Sequence, residues 1–270
     1  MRRCDNRCKA RVPRPGARGR PRYPASMSAY SQAVSRRLPR GWAHLGLQFA
    51  IWLGFYGAYQ VARGAADHSV EQAFANGQSI IDVQRSLGSM IELPLQRLVE
   101  SSSLLVQATS YTYWLSQFAV VGIALLWVYF RAHERFFRFR NTLILANLIG
   151  LVGYVALPTA PPRMFPQAGF NDTLADHAAV THDSGLVDFA ANPYAAMPSL
   201  HSCDALIVGV VMALVVRRTW AKALWLAWPA WVWFSVMATG NHFWLDIAAG
   251  ILVAAVAAAV VYRGRLLGRA

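Results

Sequence analysis

Apolar residues in this chain gather into long runs separated by shorter polar stretches, and the runs have the length that crosses a lipid bilayer. About twenty helical residues, at 1.5 Å each, match a hydrocarbon core of about 30 Å. Trp42–Val61 is free of acids and Lys/Arg over that length and predicts the first span. Tyr113–Phe130 predicts the second and Asn141–Leu157 the third. A fourth begins near His201 and ends at Val216, and a fifth covers roughly Ala223–Met237 with Pro229 inside it. The sixth starts at the stretch T-G-N-H-F-W-L-D, with its apolar run from Phe243 to Tyr262.

The segment Asp67–Gln107 follows a different pattern. Val70, Phe74, Ile80, Ile81, Leu87, Met90, Ile91, Leu95 and Leu98 recur near helical spacing with charges between them. This predicts an amphipathic segment lying along the membrane surface or capping a bundle, kinked or divided at Pro94. Glu92 and Gln96 share a face from which either could point at a substrate, but a solvated face is the simpler expectation. Pro158–Ser199 is polar and too long for an idle connection, so it predicts a functional loop. The fold expected is all-α: a polytopic six-helix membrane bundle over residues 41–265, with an outer amphipathic helical segment.

Charge orients this arrangement. The stretch Met1–Arg40 holds twelve Lys or Arg and one acid, Asp5, and carries +11 of the chain's net +13. It has no apolar periodicity, so residues 1–40 are expected to be a disordered basic cytoplasmic tail that attracts anionic lipid rather than nucleic acid. It lacks the apolar core of a cleavable signal peptide. Loop charge then alternates in sign along the chain. Arg131, Arg135, Arg138 and Arg140 make one connection basic, whereas Asp172, Asp176, Asp183 and Asp188 outweigh Arg163 in another. The positive-inside rule places both termini in the cytoplasm and Pro158–Ser199 outside. A hydrophobic share of 56%, a mean hydropathy of +0.30 and ten Trp fit membrane helices and exclude an ordinary soluble domain. Cys4 and Cys8 have no matching Cys or His pair, and Cys203 reads as a small packing residue.

The candidate chemistry lies at the outer rim. His242 and Asp246 are four apart and would share a helix face, where a carboxylate on one ring nitrogen leaves the other free as nucleophile, base or ligand. A structural His–Asp pair tying two helices together fits these two residues equally well. In A-A-M-P-S-L-H-S-C-D, Pro198 and Ser199 predict a helix start with His201 in its first turn. Free backbone N–H groups there, from Ser199 and Leu200 onward, attract an anion such as phosphate, and His201 beside it can protonate a leaving oxygen. In P-T-A-P-P-R, Arg163 sits on a proline-stiffened loop where its guanidinium can grip phosphate oxygens. A lipid-headgroup arginine and an incidental His beside a capping Ser are the bland alternatives. The topology gathers all of these residues at one rim, which favours a single reacting centre.

P-S-L-H, followed by G-N-H-F-W-L-D, resembles the motifs of the type-2 phosphatidic acid phosphatase superfamily, whose site is similar to that of the vanadium haloperoxidases. The forms P-T-A-P-P-R and A-M-P-S-L-H look most like its inositol phosphorylceramide synthase-like branch. The resemblance covers roughly Leu87–Tyr262. It implies that His242 is the nucleophile forming a phosphohistidine and that Asp246 orients it. It further implies that His201 protonates the leaving alcohol and that Arg163 holds the phosphoryl oxygens. Ser199 and Leu200 are candidate substrate-binding positions as the start of the helix that would attract the anion.

The chain departs from that family's signatures. Ala156 stands where a Lys is expected and Met164 where a Pro is, Leu200 replaces a Gly, and Val236 replaces an Arg. These departures favour a transferase-like member over a general phosphatidate phosphatase. The expectation is an integral membrane lipid phosphatase or phosphotransferase of a bacterial plasma membrane, with an extracytoplasmic site. Its substrate would be a lipid phosphate or phospholipid, its acceptor water or a polyol, and it would need no metal or cofactor. The competing class is a metal-binding or transport protein using His201, His242 and Asp246 as ligands or relay.

Overall fold

The computed structural model describes residues 39–65, 69–177 and 193–267. Residues 1–38, which include almost all of the expected basic tail with Cys4 and Cys8, lie outside the described residues, as do 178–192 of the long loop. The chain divides into Met1–Leu38 and Pro39–Ala270. The second unit is helical, and the only strand-like feature among the described residues is a single bridge between Thr159 and Ala195.

In chain order its helices are α1 (Gly41–Ala65), α2 (Val70–Ser86), α3 (Glu92–Glu100) and α4 (Ser103–Leu115). A π-helical turn, Ser116–Val120, carries α4 into α5 (Val121–Arg131), and α6 (His133–Ala156) follows. The long loop holds 3₁₀ turns at Pro162–Met164 and Pro166–Ala168 and a short α7 (Thr173–His177). The chain closes with α8 (Leu200–Val215), α9 (Thr219–Ala238) and α10 (Trp244–Leu267). Side-chain caps mark three of the helix starts, of which the one at Ser199 is the start expected from sequence. Ser69 accepts from the Gln72 N–H, Ser102 from Leu105 and Ser199 from Ser202.

Among the described residues three helical stretches are long and apolar enough to cross a membrane: Ser103–Arg131, His133–Ala156 and Trp244–Arg263. Leu200–Val215 is a shorter apolar helix. Large apolar side chains stay exposed on α1 (Leu47, Leu53), on α9 (Trp220, Leu224) and on the long helices (Ile123, Val152, Leu252). An outward surface of this kind belongs against lipid tails rather than water. The protein is a membrane protein with an all-α fold.

Two expectations change here. The basic stretch Arg131–Arg140 is not a loop: α6 starts at His133, so Arg135, Arg138 and Arg140 ride on its first turns. Ala132 alone separates α5 from α6, and Arg135 anchors the joint by donating to the Leu214 carbonyl at 2.7 Å. The amphipathic segment also does not break at Pro94. Pro94 is the third residue of α3, where its missing N–H has no partner within the helix to lose. The break falls at Leu87–Ile91, where Gly88 turns the chain with φ +61°.

The central helix is α8, which packs against α5, α6, α9 and α10. Its start is held by very close backbone approach. A Cβ on Gly250 of α10 would lie 2.2 Å from the Ser199 carbonyl oxygen, and one on Gly153 of α6 would meet Pro198 at 2.6 Å. The segment α2–α3 caps this end of the bundle. Ala73 and Ile81 bury against Ala160, Phe165, Phe170 and Phe243, so the amphipathic face covers the loop and the α9–α10 turn.

Candidate active site

The turn from α9 into α10 is the first element of the site. Thr239 ends α9, and Gly240 follows with φ +70°, a left-handed conformation natural to glycine. The Gly240 N–H bonds the Met237 carbonyl at 3.0 Å and the Asn241 N–H bonds Val236 at 3.1 Å. This is a Schellman closure, and it throws Asn241 and His242 off the helix end together. His242 therefore does not lie on a helix with Asp246, as the four-residue spacing suggests. Phe243 precedes the first residue of α10, and Asp246, in the first turn, reaches back to accept the Phe243 N–H at 2.8 Å. The i,i+4 pair meets through helix capping: Asp246 Oδ2 stands 3.4 Å from His242 Nδ1.

His242 Nδ1 also lies 2.9 Å from the Ala196 carbonyl oxygen. Both neighbours are acceptors, so Nδ1 carries the proton and Nε2 keeps its lone pair. The residue is 5% exposed, and Asp246 is fully buried.

The second element is the start of α8. Ser199 caps the helix, and His201 is its second residue. The Ser199 N–H donates to the Asp246 carbonyl at 2.9 Å, and Ser202 Oγ donates to the Ile247 carbonyl at 3.2 Å. These bonds lock the first turns of α8 and α10 together and set the His201 and His242 ring centroids 5.7 Å apart. They also correct the expected anion site, because the Ser199 N–H is already used and Ser199 is fully buried. Leu200 sends its side chain against Gly150 of α6, so only backbone N–H groups remain for an anion there: those of Leu200 and His201, which the helix itself does not satisfy.

Arg163 is the third element. Its N–H donates to the Gly240 carbonyl at 2.8 Å, which docks the 3₁₀ turn on the α9–α10 corner. Its Nη1 donates to Asn241 Oδ1 at 2.5 Å, and its Nε lies 3.5 Å from Asp172 Oδ2. His201, His242, Asn241 and Arg163 line one polar cavity with Arg63, Tyr59, Tyr113, Gln117 and Tyr154. Tyr113 stacks on His201 with centroids 4.5 Å apart and planes 21° from parallel.

Several of these residues escaped the sequence reading. Asn241 lies inside the quoted motif but has no chemistry of its own to flag it. Tyr113 and Arg63 sit at the edges of apolar runs and look like interfacial residues. Glu92 and Gln96 were expected on a solvated face, and this is wrong: both are buried. Glu92 Oε1 accepts the Trp244 N–H at 2.7 Å and the Gln84 amide at 2.7 Å, so a carboxylate from α3 caps the start of α10. Burial raises the Glu92 carboxyl above its ordinary range, against the opposing effect of those two hydrogen bonds. Gln96 donates to the Asn171 carbonyl and to Thr173 Oγ1, which pins the long loop. Neither Ala156 nor Val236 brings a charge, and Val236 is buried in α9.

Among the described residues no three His, Cys, Asp or Glu side chains converge in a metal-binding group. The His242 face that Asp246 occupies is also turned to the Ala196 carbonyl, an arrangement for holding a tautomer rather than for joint ligation.

A family model described as the PAP2 superfamily matches residues 78–260. A phosphoinositol dihydroceramide synthase of Bacteroides thetaiotaomicron is 28% identical over 155 residues, 52% of this chain and 50% of that protein. The chain thus spans about half the length of this curated relative. Among solved structures, the crystal structure of Aquifex aeolicus LpxE matches at 16% identity with a TM-score of 0.45, over 63% of this chain and 94% of that one.

Proposed function

This chain belongs to the PAP2 superfamily, and from that premise we propose that it moves phosphoryl groups of lipids through a phosphohistidine on His242. The observation that carries the reading is the facing pair of imidazoles, 5.7 Å between centroids, with the proton of His242 fixed on Nδ1. In the first step His242 Nε2 attacks phosphorus, the P–O bond to the lipid alkoxide breaks, and His201 gives that oxygen a proton. In the second step water or an alcohol attacks the phosphohistidine, His201 takes the proton, and the P–N bond breaks to restore His242. Asp246 orients the imidazole and balances the positive charge it gains. Arg163 and the Leu200 and His201 N–H groups stabilise the phosphoryl oxygens as charge develops.

The proposal extends to topology and substrate. Six spans cross the membrane, α1, α4–α5, α6, α8, α9 and α10, with both termini cytoplasmic and the site on the outer face of a bacterial plasma membrane. Alternating loop charge supports this orientation, with the Arg135–Arg140 cluster and Arg217, Arg218 and Lys222 on the inner side. A lipid phosphate or phospholipid is the donor. The name of the relative puts a phosphoinositol group and a dihydroceramide among the first substrates to try. The residues that bind the transferring group are the same whether water or an alcohol accepts it.

The test is incubation of the purified protein with labelled lipid phosphates and phospholipids, with and without polyol and long-chain alcohol acceptors. Release of phosphate or formation of a new phosphodiester, with label trapped on His242 after acid-free quenching, is the expected result. Turnover that persists in His242→Ala would sink the phosphohistidine reading.

A further inference from the structure

We propose that Arg63 of α1 is a second cation on the transferring phosphoryl group and shares its charge with Arg163; this rests on the phosphoryl-transfer reading above. Arg63 lies outside residues 78–260, the part of the chain that matches the family model, yet it lines the same cavity as His201, His242 and Arg163. Among the described residues Arg63 and Arg163 are the two cationic side chains in that wall.

Arg163 is ill placed to carry the charge alone. One edge of its guanidinium faces the Asp172 carboxylate, and Nη1 is committed to Asn241. A partly neutralised arginine cannot balance a phosphoryl group that brings one or two negative charges into a bundle of low dielectric.

Arg63 is held in a way that suits a binding role. Its guanidinium carbon stands 5.9 Å from the ring centroid of Tyr154, over the ring. A guanidinium attracted to an aromatic face has its plane steadied by the ring, and its N–H fork has the shape that matches two oxygens of a phosphate. Tyr154 is itself buried in α6 and lines the cavity, so the platform is fixed. The competing role for Arg63 is structural, because a basic residue in the last turn of α1 also suits the negative end of that helix.

Orthovanadate inhibition separates the two roles. Arg63→Ala, Arg63→Gln and Arg63→Lys would be compared with wild type and with Arg97→Ala, an exposed arginine of α3 outside the cavity. A phosphate-gripping role requires Arg63→Ala and Arg63→Gln to weaken vanadate inhibition at least about tenfold and to lower turnover about a hundredfold. Arg63→Lys should keep part of both, and guanidinium ion at millimolar concentration should restore turnover to Arg63→Ala. Arg97→Ala should match wild type.

Melting temperatures in detergent accompany each variant. If Arg63→Ala melts early, the Lys-against-Gln comparison decides, since a structural role gives no reason for the charged variant to bind vanadate better. Wild-type vanadate inhibition in folded Arg63→Ala and Arg63→Gln overturns the inference and leaves the proposed function standing. A wild-type protein that neither turns over lipid phosphate nor responds to vanadate overturns both.

Discussion

Asn241 holds Arg163 by its side-chain oxygen and Thr239 by its side-chain nitrogen, with Nδ2 2.9 Å from Thr239 Oγ1. One amide thus ties the arginine of the long loop to the helix end that presents His242. Because Asn241 is 2% exposed, the link is sheltered from competing water.

Replacing that amide should act through Arg163. Asn241→Ala loses a hydrogen bond to a charged group, about 1.5–3 kcal/mol, and should lower kcat/KM by roughly tenfold to a hundredfold. Asn241→Asp keeps the shape but pairs Arg163 with a second carboxylate and repels phosphate, so it should be the worse of the two. Steady-state kinetics on one lipid phosphate checks this. An Asp variant more active than the Ala variant would mean that Arg163 does not face the phosphoryl group.

Arg163 itself should contribute on the order of 3 kcal/mol to the transition state, the usual scale for one preorganised contact to developing charge. Arg163→Ala should therefore lose about a hundredfold or more in rate, with Arg163→Lys between it and wild type. Melting temperature in detergent must be followed beside turnover, because the Arg163 segment also docks the α9–α10 corner. Near-normal turnover in a well-folded Arg163→Ala would remove it from the site.

The two histidines should respond differently to the leaving group. A substrate with an easily departing phenolate needs no proton from His201, so it should partly rescue His201→Ala. His242→Ala lacks the nucleophile and should stay inactive with the same substrate. Equal rescue of both variants would reverse or dissolve the assignment.

Glu92 gives stability a pH signature. Its carboxyl is raised above the ordinary value of 4.5 because burial disfavours the ionised form. The folded state thus binds the proton more tightly than the unfolded state, and stability falls as pH rises from about 4.5 through the folded value. Glu92→Gln keeps an oxygen for the Trp244 N–H and should flatten that slope. Glu92→Ala leaves the N–H unpaired and should cost about 1–3 kcal/mol at all pH values. Thermal melts across the acid range in detergent read both effects, and an unchanged slope in Glu92→Gln would assign the pH dependence elsewhere.

Topology can be tested at Gln167, an exposed residue of the second 3₁₀ turn. A cysteine there should react with a membrane-impermeant thiol reagent in intact cells. Labelling only after lysis would put the site on the inner face.

The sequence by itself determined that this is a helical membrane protein, because apolar runs of bilayer length have few other uses. It also marked His201, His242, Asp246 and Arg163, since ionisable residues at the ends of such runs are costly without a task. Ser199 was readable as a cap because that signal is local. The tertiary structure decided everything that depends on contacts between distant segments. That His242 hangs from a Schellman closure and meets Asp246 through a cap follows from where α9 stops, which a four-residue spacing cannot tell from a continuous helix. Glu92 and Gln96 look like a solvated face because their partners, the Trp244 N–H and the Asn171 loop, are about 150 and 75 residues away in the chain. Arg63 looks like an ordinary flanking charge until α1 packs beside α6 and turns it into the cavity. Local patterns set the elements and flagged the candidate side chains, while long-range packing chose their neighbours, and it is the neighbours that fix tautomer, charge and reach.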